Sequence, residues 1–215
     1  MALPAGVSLD GNGRTISLAG DPERFESAGI HVRGAAVRNL TIDGHDLAPS
    51  CPAYLAALVI SGASQVEKTT VRGIRLGEAC AAAAGIEVGV FDGERVDLVD
   101  VSVSGIDGAG IFLTGDGLVT ITDTKVADAN TGVQVMNTIE VSIAGSAITG
   151  SDGDISVTGA GMATVGNLTI VQFGRQDEPA RGRHRGNLPR PGISPSPIAT
   201  ARAARVHPFP SARTP

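Results

Sequence analysis

The chain is poor in the residues on which many functions depend. It has no tryptophan, one tyrosine (Tyr54) and only 3% aromatic residues, which argues against a deep sugar cleft lined with stacking rings. Its two cysteines, Cys51 and Cys80, lack the Cys or His neighbours of a zinc site. They lie 29 residues apart, so they either form a disulfide between neighbouring repeats or remain as two core thiols.

Long apolar runs are also missing. No stretch is apolar enough to span a membrane, and no basic and apolar leader precedes Val7. The first repeat begins almost at once, and an uncapped repeat stack exposes strand edges. We therefore expect that an N-terminal cap is missing from this domain.

Charge divides the chain into two parts near Phe173. Residues 1–173 carry 9 Lys/Arg and 20 Asp/Glu, whereas residues 174–215 carry 8 Arg, 2 acidic residues and 8 prolines. Such a segment buries too little apolar surface to offset its ordering entropy, so we expect residues 174–215 to be a disordered tail. Its arginine-rich run at 181–186 is compatible with RNA contact, but composition favours an appended end without a role, and we expect no nucleic-acid partner.

A repeated apolar pattern fills the first part. Gly or Ala, an aliphatic residue, any residue and a second aliphatic recur at 29–32, 57–60, 85–88, 110–113 and 132–135, with Asp opening a sixth copy at 154–157. The copies are 22 to 28 residues apart, and each is followed by a stretch that alternates apolar and polar residues. Glycine, Asp, Asn and Ser lie between the stretches, as tight corners require. These features predict an all-β fold, a right-handed parallel β-helix of about six coils over residues 1–173.

The opening residues 3–16, LPAGVSLDGNGRTI, closely resemble the first coil of pectate-lyase-like right-handed β-helix proteins. The repeats from Gly29 to Ile170 are similar to the generic repeats of that superfamily. Its members include pectate lyases, polygalacturonases, alginate epimerases, phage tailspike depolymerases and non-catalytic surface proteins. The resemblance implies a secreted or cell-surface protein that acts on or binds carbohydrate.

The catalytic signatures of these families are absent or incomplete. A polygalacturonase-like site needs Gly-His-Gly, which the chain lacks, and only the segment 151–154 is similar to the Asn-Thr-Asp element. A pectate-lyase-like site needs Arg-x-Pro-x-x-Arg, but the one Arg-Pro pair, Arg190-Pro191, lies in the expected tail. The segment 43–46, Asp-Gly-His-Asp, resembles the epimerase Asp-Pro-His-Asp with Gly in place of Pro. The resemblance therefore favours a non-catalytic or degenerate carbohydrate-interacting module.

One corner of the expected coils is acidic. Spacing from the repeat starts places Asp107, Asn130 and Asp152 at this corner of three successive coils, with Asp128 and Asp154 beside it. Neighbouring coils are about 5 Å apart, which suits the paired carboxylates of glycoside hydrolysis. We expect catalytic roles for Asp107, Asp152 and Asp154, binding roles for Asn130 and Asp128, and a possible Ca²⁺ site at Asp107, Asn130 and Asp152. The alternative is that Asp and Asn form the corners by capping the backbone.

Asp43, His45 and Asp46 form the one cluster of His with carboxylates in residues 1–173. A histidine beside acids is a candidate general base or ligand-binding group near neutral pH, and the alternative is a solvated corner. Candidates for lyase-like proton abstraction, or else ordinary surface charges, are Arg72, Arg75 and Lys125.

Three functions remain open from the sequence. The first is a non-catalytic module that presents a long flat face to a polysaccharide or cell-surface glycan. The second is an active polysaccharide lyase or glycoside hydrolase, and the third is a structural spike or adhesin-like scaffold. We expect no cofactor other than the Ca²⁺ described above, and the oligomeric state stays open.

Overall fold

A computed structural model describes residues 1–17, 28–45, 55–75, 83–137, 139–149, 153–158, 162–166 and 169–171. Within these ranges there is no helix, and hence none long and apolar enough to cross a membrane. All described strands lie within Met1–Phe173. The predicted tail, Cys51 and Cys80 lie outside the described residues, so the disulfide and the disorder of the tail stay predictions.

The described residues form fifteen strands. They are β1 (Leu9–Ser17), β2 (Ala28–Arg33), β3 (Ala36–Asp43), β4 (Leu55–Ser61), β5 (Ser64–Ile74), β6 (Ala83–Val90), β7 (Arg95–Val99), β8 (Ser102–Gly115), β9 (Leu118–Thr122), β10 (Lys125–Met136), β11 (Glu140–Ala144), β12 (Ala147–Thr149), β13 (Gly153–Thr158), β14 (Met162–Gly166) and β15 (Thr169–Val171). The longer strands run through a corner and belong to two faces.

Every pairing between these strands is parallel and joins one coil to the next. The first face contains β2, β4, β6, the second halves of β8 and β10, and β13. The second face contains the first halves of β1, β3 and β5, then β7, β9, β11 and β14. The third face contains the second halves of β1, β3 and β5, the first halves of β8 and β10, then β12 and β15. This stack of at least four turns confirms the predicted parallel β-helix.

The repeated aliphatic residues form the core. The first aliphatic of each repeat pairs with its counterpart one coil away, and the resulting column, at most 1% exposed, contains Ile30, Leu58, Ile86, Ile111 and Val133. A single coil has no second layer against which to bury this row, whereas stacked coils bury it continuously. The repeat length visible in the sequence is therefore the length of one coil.

The small first residue of the repeat has a packing reason. A Cβ added to Gly85 would lie 2.6 Å from Val103 Cγ1 and 2.8 Å from the Gly110 carbonyl oxygen. The equivalent place one coil earlier holds Ala57, which is fully buried. Where a further coil packs against it, as at Gly85, this position therefore favours the smallest residues, and the Gly or Ala of the inner copies reflects close approach of neighbouring coils.

The corner between the second and third faces has a left-handed backbone in coil after coil. The corner residues have φ between 47° and 63°, and in stacking order they are Asn39, Lys68, Asp100, Asp123 and Gly145. Asn, Asp and Gly tolerate this conformation because a short polar side chain bonds locally or no Cβ is present. Many acidic and amide residues of the chain thus serve the corners of the fold.

Candidate functional site

The third face ends at a corner built from Gly73, Gly105 and Asp128. These residues occupy successive coils, and their φ values are 68°, 66° and 51°. Because two of the three lack a side chain, the main chain forms the floor of an open depression of about 410 Å³. Its other lining residues are Asp43, His45, Arg72 and Ser104. We call this depression the acidic corner.

Asp43 and Arg72 form one wall of the acidic corner. They are opposite each other on β3 and β5, and Arg72 Nε and Nη2 lie 2.8 and 2.7 Å from Asp43 Oδ2. Asp43 Oδ1 accepts a 2.9 Å bond from the backbone N–H of His45. The hydrogen bond from the His45 N–H, which has the larger effect, and the bond from Arg72 both lower the pKa of the Asp43 carboxyl below its usual value. Asp43 is therefore an ionised acceptor, oriented on both of its oxygens.

His45 is exposed and has a left-handed backbone, with φ 55°. Its Nε2 lies 3.0 Å from Ser17 Oγ, one coil away. The Asp43 carboxylate binds the main chain of His45 through the bond described above. This arrangement orients the residues around His45 and places this residue in the lining of the depression.

Arg75 joins two acids from the next two coils. Its Nη1 lies 2.9 Å from Asp107 Oδ1 and its Nη2 lies 2.6 Å from Asp128 Oδ2. The side chains of Arg75 and Asp107 are 33% and 34% exposed, and that of Asp128 is 68% exposed. The hydrogen bond with Asp107, which has the larger effect, and the hydrogen bond with Asp128 both raise the pKa of Arg75 above its usual value. Arg75 is thus a cation held by two carboxylates, an arrangement that disfavours its use as a base for proton abstraction.

The structure brings together residues that the sequence assigned to two separate clusters. Asp43 and His45 line the same depression as Asp128, and Asp107 reaches Asp128 through Arg75. Asn130 is exposed and lies at an irregular step of the β8–β10 ladder, opposite the stretch that contains Asp107. The backbone thus places Asp107 and Asn130 at one corner, as their spacing predicts.

Three predicted site residues cannot be placed in the site. Asp46 and Asp152 lie outside the described residues. Asp154 is the second residue of β13, but its side chain lies outside the described part of the structure. Their predicted roles remain predictions.

Over the ranges that the structure describes, no group of three or more His, Cys, Asp or Glu is arranged to hold a metal ion. The predicted Ca²⁺ site at Asp107, Asn130 and Asp152 includes one residue outside those ranges, so it stays a prediction. Within them, Arg75 already contacts one oxygen of Asp107, and Ca²⁺ would have to share that carboxylate with a guanidinium.

A second depression, of about 530 Å³, lies at the corner between the second and third faces. It is lined by Asn12, Gly13, Asn39, Leu40, Thr41 and Lys68, and we call it the amide corner. Asp10 lies beside it and accepts bonds from the Asn12 N–H at 2.9 Å and from Asn39 Nδ2 at 3.2 Å. The bond from the Asn12 N–H, which has the larger effect, and the bond from Asn39 both lower the pKa of the Asp10 carboxyl below its usual value.

Sequence reasoning missed the amide corner and the roles of Ser104 and the two corner glycines. A signal was present in the spacing. Asp43, Arg72 and Ser104 are separated by 29 and 32 residues, and these are the intervals between the paired core residues Ile42, Val71 and Val103. Counting outward-facing positions as well as core positions would have placed all three in one column.

The fold and site together define a parallel β-helix with an open, ion-paired corner. No protein-family model matches this chain, and no curated protein or solved structure matches it either. The pectate-lyase-like resemblance of the opening residues therefore stays an expectation from the sequence.

Proposed function

We propose that this protein binds an extended hydroxyl-rich ligand, a polysaccharide or cell-surface glycan, at the acidic corner and does not cleave it. The observation that carries this proposal is the pairing of each described acid of the site with arginine. Asp43 is held by Arg72, and Asp107 and Asp128 are held by Arg75. A secreted or cell-surface location is part of the same proposal.

This pairing disfavours glycoside hydrolysis at the described residues. Hydrolysis needs one protonated carboxyl group to donate to the leaving oxygen and a second that attacks or activates water. Asp43, Asp107 and Asp128 each accept a charge-assisted bond from a guanidinium, and the lowered pKa of the Asp43 carboxyl disfavours it as a proton donor. The raised pKa of Arg75 disfavours a lyase in the same way, because a lyase base must be deprotonated.

The same groups suit sugar hydroxyls. A hydroxyl donates one hydrogen bond and accepts others, and this corner presents guanidinium donors, carboxylate acceptors and the hydroxyl of Ser104 within one depression. The depression is open, so a polymer passes through it without a chain end having to enter. Few aromatic residues are needed when hydrogen bonds provide the recognition.

The test is a binding and turnover assay on the full chain. Affinity electrophoresis against neutral and acidic polysaccharides measures binding, while new reducing ends and the absorbance of unsaturated uronates measure cleavage, with and without Ca²⁺. We expect retardation by at least one polysaccharide, no new ends, and binding that weakens in Ser104→Ala and Asp43→Asn. The matched control is Arg33→Ala on the first face, which should bind like the parent.

Other results would overturn the proposal in identifiable ways. New reducing ends that disappear in Asp107→Asn would establish a hydrolase, and new ends with uronate absorbance would establish a lyase. A folded sample that binds nothing in the panel would leave the scaffold as the better explanation.

A further inference from the structure

We infer that the acidic corner and the amide corner are two ends of one binding site, and that its ligand is a neutral glycan chain lying along the strands of the third face. This inference rests on the proposed function, and it adds the position, direction and charge class of the ligand. The first observation is that the same strands border both depressions.

On β3, Thr41 lines the amide corner and Asp43 lines the acidic corner. They are two residues apart, about 7 Å along a strand. On β5, Lys68 lines the amide corner and Arg72 the acidic corner, about 10–13 Å apart at the usual rise per residue. A ligand a few sugar units long that follows these strands reaches both depressions.

The surface between the two depressions is polar. Thr41 and Thr70 are paired neighbours on β3 and β5, and Thr15 and Ser102 continue the same row on β1 and β8. Their side chains point outward, because the residues that alternate with them, such as Ile42 and Val71, are fully buried. The row runs from coil to coil between the two corners, so β3 and β5 each present an outward hydroxyl between the amide corner and the acidic corner.

The charges of this face favour a neutral ligand. Lys68 Nζ lies 3.2 Å from Glu67 Oε1, Arg72 is paired with Asp43, and Arg75 is shared by two acids. Residues 1–173 as a whole carry 20 acids and 9 basic residues, a net charge of −11. An exposed cation, Lys125, continues the hydroxyl row opposite Ser102, but the net negative charge of residues 1–173 repels a polyanion. A neutral hydroxylated chain meets no such repulsion.

The experiment uses the full chain and two matched series of oligosaccharides, glucose oligomers and galacturonate oligomers of two to eight units, measured by isothermal titration calorimetry. We expect the glucose series to bind more tightly, with an affinity that rises with length until both corners are reached. Arg72→Ala and Lys68→Gly should each weaken the longest oligomer by about 5–10-fold, the equivalent of roughly one lost hydrogen bond. Arg33→Ala is the control with unchanged affinity.

Lys68→Gly separates binding from folding, because Gly is favourable at the left-handed corner that Lys68 occupies (φ 47°). Length-independent binding, or full affinity in Lys68→Gly, would overturn the joined site and leave the proposed function standing. Tighter binding of the galacturonate series would overturn the neutral ligand alone. A folded protein that binds neither series, nor any polysaccharide of the wider panel, would overturn both proposals.

Discussion

Arg75 offers the sharpest test of how this corner is held together. Its guanidinium joins Asp107 and Asp128 across two coil boundaries at 2.9 and 2.6 Å. Partly exposed ion pairs contribute about 0.5–1 kcal/mol each, and the pair with Asp128 falls at the low end because that side chain is 68% exposed. Arg75→Ala removes both pairs.

The substitution also removes the cation that lies between the Asp107 and Asp128 carboxylates. For like charges about 6 Å apart, Coulomb's law gives about 0.7–3 kcal/mol at effective dielectric constants between 80 and 20, and solvent exposure favours the lower value. Together with the lost pairs, we expect Arg75→Ala to lower the free energy of unfolding by about 1–2 kcal/mol. Most of that loss of stability is electrostatic, so it should be smaller at high salt. At about 1 M salt the screening length is only about 3 Å, and exposed charges farther apart than this interact weakly.

Urea unfolding followed by far-ultraviolet circular dichroism, at low and high salt, measures this effect. The double variant Arg75→Ala/Asp128→Asn removes the repulsion and should recover part of the loss. An unchanged unfolding midpoint in Arg75→Ala, an equal loss at both salt concentrations, or a further loss in the double variant would each refute the reasoning.

Three further predictions concern stability. Gly85→Ala should lower the free energy of unfolding by about 1–3 kcal/mol through overpacking, because the new Cβ would lie 2.6 Å from Val103 Cγ1. The control is Gly89→Ala, whose Cβ would lie 3.4 Å from a ring carbon of Phe91. Equal thermal unfolding midpoints for the two variants would contradict the packing argument. Lys68→Gly should stabilise by a few tenths to about 1 kcal/mol, because an L-residue is strained at φ 47°; a lower unfolding midpoint in urea would contradict this. Asp43 has a lowered pKa in the folded state, so its stabilisation is present above its unfolded value of 3.8 and is lost as pH falls through the folded value. Asp43→Asn should therefore be less stable than the parent by about 0.5–1.5 kcal/mol at neutral pH, and this difference should become smaller below pH 3.8. Urea unfolding of both proteins across this pH range measures the difference. A stability difference that does not change with pH would show that the charge of Asp43 does not matter.

The sequence predicted the candidate site only in part. Asp107 and Asn130 share a corner because their spacing equals the coil length there, and such spacing is readable without a structure. That Asp43 lies in one depression with Asp128 was not predicted, because three coils of unequal length (29, 32 and 23 residues) separate them, and only the strand register shows which outward positions coincide. The sequence named Arg75 as a candidate base or else an ordinary surface charge, and it did not predict the ion pairs of Arg75 with two acids from the next two coils.

The sequence by itself determined the all-β repeat, the coil length and the buried column from Ile30 to Val133. Those properties depend on local periodicity, and the burial of an aliphatic row by stacking follows from the repeat alone. Only the tertiary structure decided which acids meet which arginines and that two depressions share the third face. Ion pairs and surface depressions depend on the register between coils and on outward-facing side chains, whose identity the packing of the core does not constrain.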